Sequence, residues 1–292
     1  MNFKKKYEKA KGYTPICKIG ECSLKRLEFG IIELEAGETV EYNTEDKETA
    51  FILLFGHCDV LYEGGAFENV GNRKTVFENR RAESFYMPRD MKLTVKALDH
   101  LKIAVCATPI AEATQPQVLR EDHVALKLLG RVPFERETSF IIDGNSNARI
   151  LTVGEAYTTE GNWAGFPPHK HDENNMPKEC IAEEIYYFLF EPEQGFAVQC
   201  LYTSDGEIDE AYRVKNDELV EFPRGYHSTV STPGYKTYFL WLMAGEHQGF
   251  NRSNDPEHDW IKSGEVKWKP GSKISFLRPW TASGTYTSIW RL

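Results

Sequence analysis

His169-Lys170-His171 carries the reading of the whole chain. Side chains of a β-strand alternate between its two faces, so imidazoles at i and i+2 project the same way. The pair Glu183-Glu184 follows, and further on comes Pro223-Arg224-Gly225-Tyr226-His227. A carboxylate and a third imidazole from neighbouring strands would close a mixed nitrogen and oxygen cage around one divalent metal ion. No thiol falls within the pattern to favour a closed structural zinc site. Neutral imidazoles with one carboxylate suit Zn, Mn, Fe, Co or Ni, with Zn placed first. A metal that accepts five or six ligands keeps open positions when the protein supplies four, and open positions predict catalysis. The stretch therefore predicts a β-barrel whose chemistry occurs at a metal held by His169, His171, His227 and one glutamate.

Glu183 and Glu184 are adjacent in an apparent strand, so only one of them can face inward. If Glu184 does, Tyr186, Phe188 and Phe190 share its face; if Glu183 does, Ile185, Tyr187 and Leu189 share that one. Alternation alone does not choose. Lys170 must point away from the two histidines that flank it. Arg224 lies where Pro and Gly break strict alternation before His227, and it is a candidate for clamping a substrate carboxylate in bidentate fashion. Tyr186 is a candidate for presenting its hydroxyl to the substrate if Glu184 is the ligand. For the catalytic base, Tyr186, Tyr202, Asp172 and Glu183 all stay open. His57, His100 and His123 stand isolated and read as structural, while His247 and His258 are expected to pack near the last core strand.

Outward from the motif, the chain is punctuated like an all-β protein. Short apolar or alternating runs recur at 49–55, 84–87, 93–97, 101–107, 149–153, 185–190, 196–203, 218–222 and 235–243. Turn-forming triplets such as Glu63-Gly64-Gly65, Asp143-Gly144-Asn145 and Ser204-Asp205-Gly206 separate them. Many short strands at such spacing predict a sandwich, jelly roll or barrel. Helical periodicity is weak, and its best candidates are the first dozen residues and 255–263.

The two halves echo each other. In the front half, a strand at 49–56 precedes Ser84-Phe85-Tyr86-Met87-Pro88-Arg89-Asp90; in the back half, 184–190 precedes Leu219-Val220-Glu221-Phe222-Pro223-Arg224-Gly225. A strand, a hairpin and a strand ending in Pro-Arg are what a duplicated barrel leaves behind. The low-hydrophobicity stretch 111–121 is the expected seam. This predicts a front barrel over 1–115 that lacks the histidine pair and reads as a metal-free scaffold. A metal-binding barrel follows over 116–262, and 263–292 forms an extension of unassigned role.

Composition narrows the function classes. The net charge of -9 argues against nucleic acid, which requires a basic patch. Apolar residues make up 41% of the 292 and aromatics 13%, enough for substantial cores, and no apolar run is long enough for a membrane span. The basic N-terminus is followed by no apolar stretch of the kind a secretory signal needs. Six scattered cysteines without a C-x-x-C pair predict reduced thiols and a cytoplasmic address. A small anionic substrate fits an acidic protein only through a local cation. Exposed strand edges make a homo-oligomer the expectation for assembly.

Several spaced motifs resemble those of the 5-deoxy-glucuronate isomerases of myo-inositol breakdown, a bicupin family related to the 4-deoxy-5-hexulose-uronate isomerases. The resemblance rests on Gly161-Asn162-Trp163-Ala164-Gly165-Phe166-Pro167-Pro168-His169-Lys170-His171-Asp172 and on Glu183-Glu184-Ile185-Tyr186-Tyr187. It extends to Val220-Glu221-Phe222-Pro223-Arg224-Gly225-Tyr226-His227, Met243-Ala244-Gly245 and Asn254-Asp255-Pro256-Glu257-His258-Asp259-Trp260-Ile261. It implies an all-β tandem cupin of two jelly-roll barrels, the second holding one divalent metal through His169, His171, Glu184 and His227. Glu184 matches because, in the related isomerases, the ligand glutamate directly precedes a Val/Ile-Tyr-aromatic strand. The implied activity is an aldose–ketose conversion of 5-deoxy-D-glucuronate to 5-dehydro-2-deoxy-D-gluconate. An enediolate proton transfer is the expected route and a hydride shift its rival. A metal-dependent cupin oxygenase or oxidase and a non-enzymatic sugar-acid-binding cupin are the competing readings. Relative to the general cupin pattern, 172–179 is an insertion and the Pro-x-Gly-x-His turn is one residue short. The tail beyond 263 matches nothing in the family and is read as a partner contact or a swapped arm.

Overall fold

Four antiparallel sheets, arranged as two sandwiches, make up nearly all of the protein in a computed structural model that describes residues 2–263. In the front half a six-stranded sheet runs in the order Gln117–Leu119, Ser84–Met87, Lys47–Phe55, Leu101–Pro109, Glu28–Leu34, Gly12–Cys17. It covers a four-stranded sheet of Thr39–Asn43, Lys92–Ala97, Cys58–Tyr62 and Gly65–Val70. Ile32, Phe51 and Phe85 from the larger sheet meet Val60, Leu93 and Val95 from the smaller in one buried core.

The back half repeats the plan. Its larger sheet runs Lys4–Lys6, Glu218–Phe222, Ala182–Glu191, Lys236–Gly245, Thr152–Thr158, Arg136–Ile142, Ala125–Leu129. Its smaller sheet runs Asp209–Lys215, Phe196–Tyr202, Tyr226–Ser231, Trp163–Lys170, Ser253–Asn254. The internal echo is physical: Lys47–Phe55 sits between Ser84–Met87 and Leu101–Pro109 as Ala182–Glu191 sits between Glu218–Phe222 and Lys236–Gly245.

A third core joins the halves where the two larger sheets pack back to back. Phe29, Ile52, Tyr86 and Cys106 from the front meet Ile185, Tyr187, Leu240 and Leu242 from the back. Strand Ala182–Glu191 is consequently buried on both faces. Ile185, Tyr187 and Leu189 face the seam, whereas Tyr186, Phe188 and Phe190 face the interior of the second sandwich. Both faces of such a strand must be apolar, as in any sheet covered on two sides.

Polar groups also cross the seam. Arg73, 1% exposed, donates to Glu155, which is fully buried, and to the carbonyls of Leu53 and Leu54. Buried Glu48 accepts the backbone N–H groups of Arg149, Ile150 and Leu151 at 2.7–2.9 Å. These bonds hold 149–151 out of regular pairing, so the strand expected at 149–153 begins at Thr152 and continues to Thr158.

The N-terminal helix expected over the first dozen residues is absent. Lys4–Lys6 is instead an edge strand paired antiparallel with Glu218–Phe222, and Gly12–Cys17 pairs with Glu28–Leu34. Phe3 and Tyr7, each 3% exposed, anchor that edge strand at both ends, while Lys4 and Lys5 reach Glu218 and Glu221 at 3.1 Å. Tertiary burial thus overrides local propensity. At 255–263 only a short 3-10 turn, Asp259–Ser263, forms. Among the described residues no helix is long and apolar enough to cross a membrane. The tail at 264–292 lies outside the described residues.

Candidate metal centre

The strand carrying His169 is irregular by construction. Trp163–Lys170 pairs with Tyr226–Ser231 at Ala164↔Thr229 and again at His169↔His227, with a register shift between. Pro167 and Pro168 lack the N–H groups a regular ladder would use, so a bulge is the natural outcome. Gly165 makes the bulge possible: its φ is +65°, and a Cβ there would lie 3.1 Å from the His169 ring. The bulge rolls His169 onto the interior face opposite His227.

His169, Glu184 and His227 bring their ligand atoms within 4.8 Å of one another, all fully screened from solvent. Glu184 Oε2 lies 2.9 Å from His171 Nε2 and 3.0 Å from His227 Nε2. Every imidazole turns its other nitrogen to a backbone carbonyl: His169 Nδ1 to Gly165 at 3.3 Å, His171 Nδ1 to Ala182 at 2.8 Å, His227 Nδ1 to Gly225 at 3.2 Å. A carbonyl can only accept, so each Nδ1 carries a proton and Nε2 is the nitrogen left to face Glu184 or a ligand. His169, Glu184 and His227 form one ligand group that His171 joins through Glu184, so a cation placed there would take over the contacts that a proton otherwise makes. Glu184 Oε1 and His227 Nε2 also have no hydrogen-bond partner among the described residues. The donor set therefore fits a divalent metal, and the carbonyl contacts orient its ligands as outer partners do in known metal sites.

Burial, with Arg252 and the other two imidazoles nearby, holds His169 well below the ordinary histidine value, so it is neutral. Burial would raise Glu184, but the close approach of His171 and His227 outweighs it and keeps the carboxyl lowered. Burial likewise opposes the charged form of His171, yet bonding to Glu184 lifts it above the usual value.

Beside this cluster lies a cavity of about 150 Å³. His169 and Glu184 open onto it, with Tyr186, Phe239, Trp241 and Phe250 as walls and Arg136 and Arg252 as its cations. His171 and His227 stand behind. Clefts of about 480–550 Å³ occur elsewhere, but none of them reaches the histidine cluster.

The alternation question is answered by the two-sided burial of Ala182–Glu191. Glu184 shares the interior face with Tyr186, whereas Glu183 accepts three backbone hydrogen bonds from Lys25 and Arg26 at 2.7–3.0 Å. Lys170 points away as expected, pairing with Asp172, Glu173 and Glu179 at 2.5–3.0 Å. Asp172 also accepts from the Gly225 N–H, and Tyr202 donates to Asp255 at 2.6 Å. Of the four groups open as base, Tyr186 alone lines the cavity. Arg224 does not: it pairs with Asp205 at 2.9 Å and Glu207 at 2.5 Å near the surface, because the turn that breaks alternation also turns its side chain outward. The cavity cations are two arginines that the sequence reading passed over, Arg136 at the start of its strand and Arg252 just before Ser253–Asn254. His57, His100 and His123 pair with Asp99, Glu33 and Asp122 away from the cluster. His247 is exposed, and neither it nor His258 lines the cavity.

Two jelly-roll sandwiches packed back to back, with a His-His-Glu-His cluster inside the second, define a tandem cupin. Solved structures carry the same fold. An IolB-like protein from Salmonella typhimurium LT2 superposes with a TM-score of 0.86 at 29% identity, covering 90% of this chain and all of that one. Oxalate decarboxylase from Lactobacillus farciminis superposes at 0.64 with 10% identity, over 90% of each chain, a likeness of fold alone. The KduI/IolB family model matches residues 3–261, and the chain belongs to that family. Among relatives, the 5-deoxy-glucuronate isomerase of Geobacillus thermodenitrificans is 36% identical over 241 residues, 82% of this chain and 88% of that protein. The protein of the same name from Bacillus subtilis strain 168 is 34% identical over 239 residues, with the same coverage.

Proposed function

We propose that this protein is a metal-dependent isomerase converting open-chain 5-deoxy-D-glucuronate to 5-dehydro-2-deoxy-D-gluconate. The observation that carries the reading is the convergence of His169, His171 and His227 on buried Glu184 at the wall of a small cavity. The names of relatives 34–36% identical over most of the chain point to the same substrate. His169, His171, Glu184 and His227 would hold the cation, and its choice among Zn, Mn, Fe, Co and Ni follows only from the donor types. Bound there, a divalent ion supplies charge stabilisation at the carbonyl and neighbouring hydroxyl of the sugar acid.

The chain's own residues do the rest. Phe239, Trp241 and Phe250 exclude water from the reacting carbons. Burial raises the Tyr186 phenol well above its ordinary value, so it remains protonated and donates a hydrogen bond to a substrate oxygen. The net conversion moves one proton from the hydroxyl-bearing carbon to the aldehyde carbon and one between the two oxygens. Carbon-13 NMR of the protein incubated with 5-deoxy-D-glucuronate tests the reading; a ketone resonance is expected, and an unchanged aldehyde would refute it. Running the reaction in deuterium oxide separates enediolate chemistry, which places deuterium on the product, from a hydride shift, which does not.

The same reading divides the chain at 1–115, 116–262 and 263–292, with Lys4–Lys6 and Gln117–Leu119 each pairing across the first boundary. Six unpaired cysteines favour a reducing, cytoplasmic address. Ala125–Leu129 is an edge strand with Leu126 and Leu128 exposed, an arrangement that favours pairing with a second copy of the chain.

A further inference from the structure

Arg136 and Arg252 approach the same cavity from different elements of the second barrel. Arg136 opens the strand Arg136–Ile142, next to the edge of the large sheet. Arg252 precedes Ser253–Asn254, the short strand that pairs with His169 and Lys170. Neither makes an ion pair with any carboxylate among the described residues; Arg73, Arg80, Arg89, Arg120 and Arg224 all do. Arg252 Nη1 lies 3.4 and 3.3 Å from the two ring nitrogens of His169. Only Nη1 is engaged there, which leaves Nε and Nη2 without a hydrogen-bond partner among the described residues. Its guanidinium carbon also sits 4.9 Å from the centre of the Phe250 ring. Arg136 makes no side-chain hydrogen bond at all among the described residues.

Two half-buried cations on one small cavity, neither in contact with a carboxylate among the described residues, are costly, since charge withdrawn from water is normally paired. An arrangement of that cost is retained where an anion completes it. The guanidinium fork matches a carboxylate in bidentate geometry. Glu184 cannot be that anion, because its charge is committed to the imidazoles.

We propose that Arg136 and Arg252 form the subsite for the substrate's carboxylate, so that the protein selects open-chain sugar acids over the corresponding neutral sugars. This rests on the isomerase reading for its substrate and extends it. In 5-deoxy-D-glucuronate the carboxylate lies at the opposite end of the chain from the aldehyde. A clamp at that end fixes which end faces His169 and Glu184, and positions the reacting carbons without touching them.

Two measurements test the subsite. In turnover, Arg136→Met and Arg252→Met each raise KM for 5-deoxy-D-glucuronate by about 10- to 100-fold, the range expected for losing hydrogen bonds to a charged group. The preference for the acid over 5-deoxy-D-glucose narrows correspondingly, and Arg136→Lys recovers part of it. In calorimetry, metal-loaded wild type binds the unreactive acid D-gluconate at least about tenfold more tightly than neutral sorbitol. Both Met variants lose that margin while keeping the wild-type circular dichroism spectrum. Equal binding of gluconate and sorbitol by wild type, or an undiminished margin in both variants, overturns the subsite. Should wild type discriminate gluconate yet fail to turn over 5-deoxy-D-glucuronate, the isomerase reading falls and the subsite stands. Should turnover occur with KM untouched in both variants, the subsite falls and the isomerase reading stands.

Discussion

Arg73, buried, and the pair Arg136 and Arg252, half-buried, are arginines of one chain in opposite electrostatic settings. Arg73 lies in the seam between the barrels, and Glu155, Tyr157 and three carbonyls take up its N–H groups. Its charge is fully answered by the fold. Arg136 and Arg252 line the metal-side cavity with no carboxylate of their own among the described residues. The same contrast separates the carboxylates: Glu48 and Glu183 accept three backbone hydrogen bonds each, while Glu184 faces imidazoles and leaves Oε1 without a partner among the described residues. Satisfied polar groups therefore mark where the chain holds itself together. Unsatisfied ones mark where it waits for something to bind.

Breaking the seam gives the largest expected effect. Glu155→Ala leaves Arg73 charged and unpaired in the interior, so stability falls by about 3–5 kcal/mol. Guanidinium chloride unfolding checks this. The double variant Arg73→Met with Glu155→Leu recovers most of the loss, because apolar groups of similar volume replace a buried pair at little net cost. Non-recovery would mean that Arg73 acts through its carbonyl contacts instead.

In the cavity the balance is expected to reverse. Glu184→Gln keeps the shape and removes the charge, so kcat/KM drops by about 10²–10³-fold or more, as when one preorganised electrostatic group is lost. The metal-free protein loses less stability than in Glu155→Ala, because the amide can still share a hydrogen bond with His171. Parallel assays of turnover and chelated unfolding separate the two quantities. A large stability loss in the chelated protein would place Glu184 with the seam residues.

The smallest effect sharpens the contrast. Arg136→Met leaves the ligand-free protein as stable as wild type, or more stable by about 1 kcal/mol, because it removes an uncompensated cation. A loss of several kcal/mol in the same unfolding experiment would reveal a structural role for Arg136.

Much of this was legible in the sequence, and the gaps have physical causes. His169, His171 and His227 stood out because their spacing and the turn before His227 are rare together. Alternation could not choose between Glu183 and Glu184, since Ala182–Glu191 is sandwiched between two cores and needs apolar residues on both faces. The family resemblance favoured Glu184, which is the one on the interior face. Strand Trp163–Lys170 escaped pattern reading because Gly165, Pro167 and Pro168 erase its periodicity, although that irregularity is what directs His169 inward. Arg224 drew attention through its place beside the motif, whereas Arg136 and Arg252 reach the cavity from elements remote in sequence, and no local signal marks them. The N-terminal edge strand was hidden for a related reason: three lysines become a strand only because Glu218–Phe222 offers a free edge and two acidic partners.

The central claim is that His169, His171, Glu184 and His227 hold one divalent cation. Elemental analysis of wild-type protein beside His169→Ala, after dialysis against trace metals, tests it most directly. The account predicts one equivalent of metal per wild-type chain and a small fraction of that in a variant whose circular dichroism spectrum is unchanged. Equal metal content in the two folded proteins, or none in either, would contradict it.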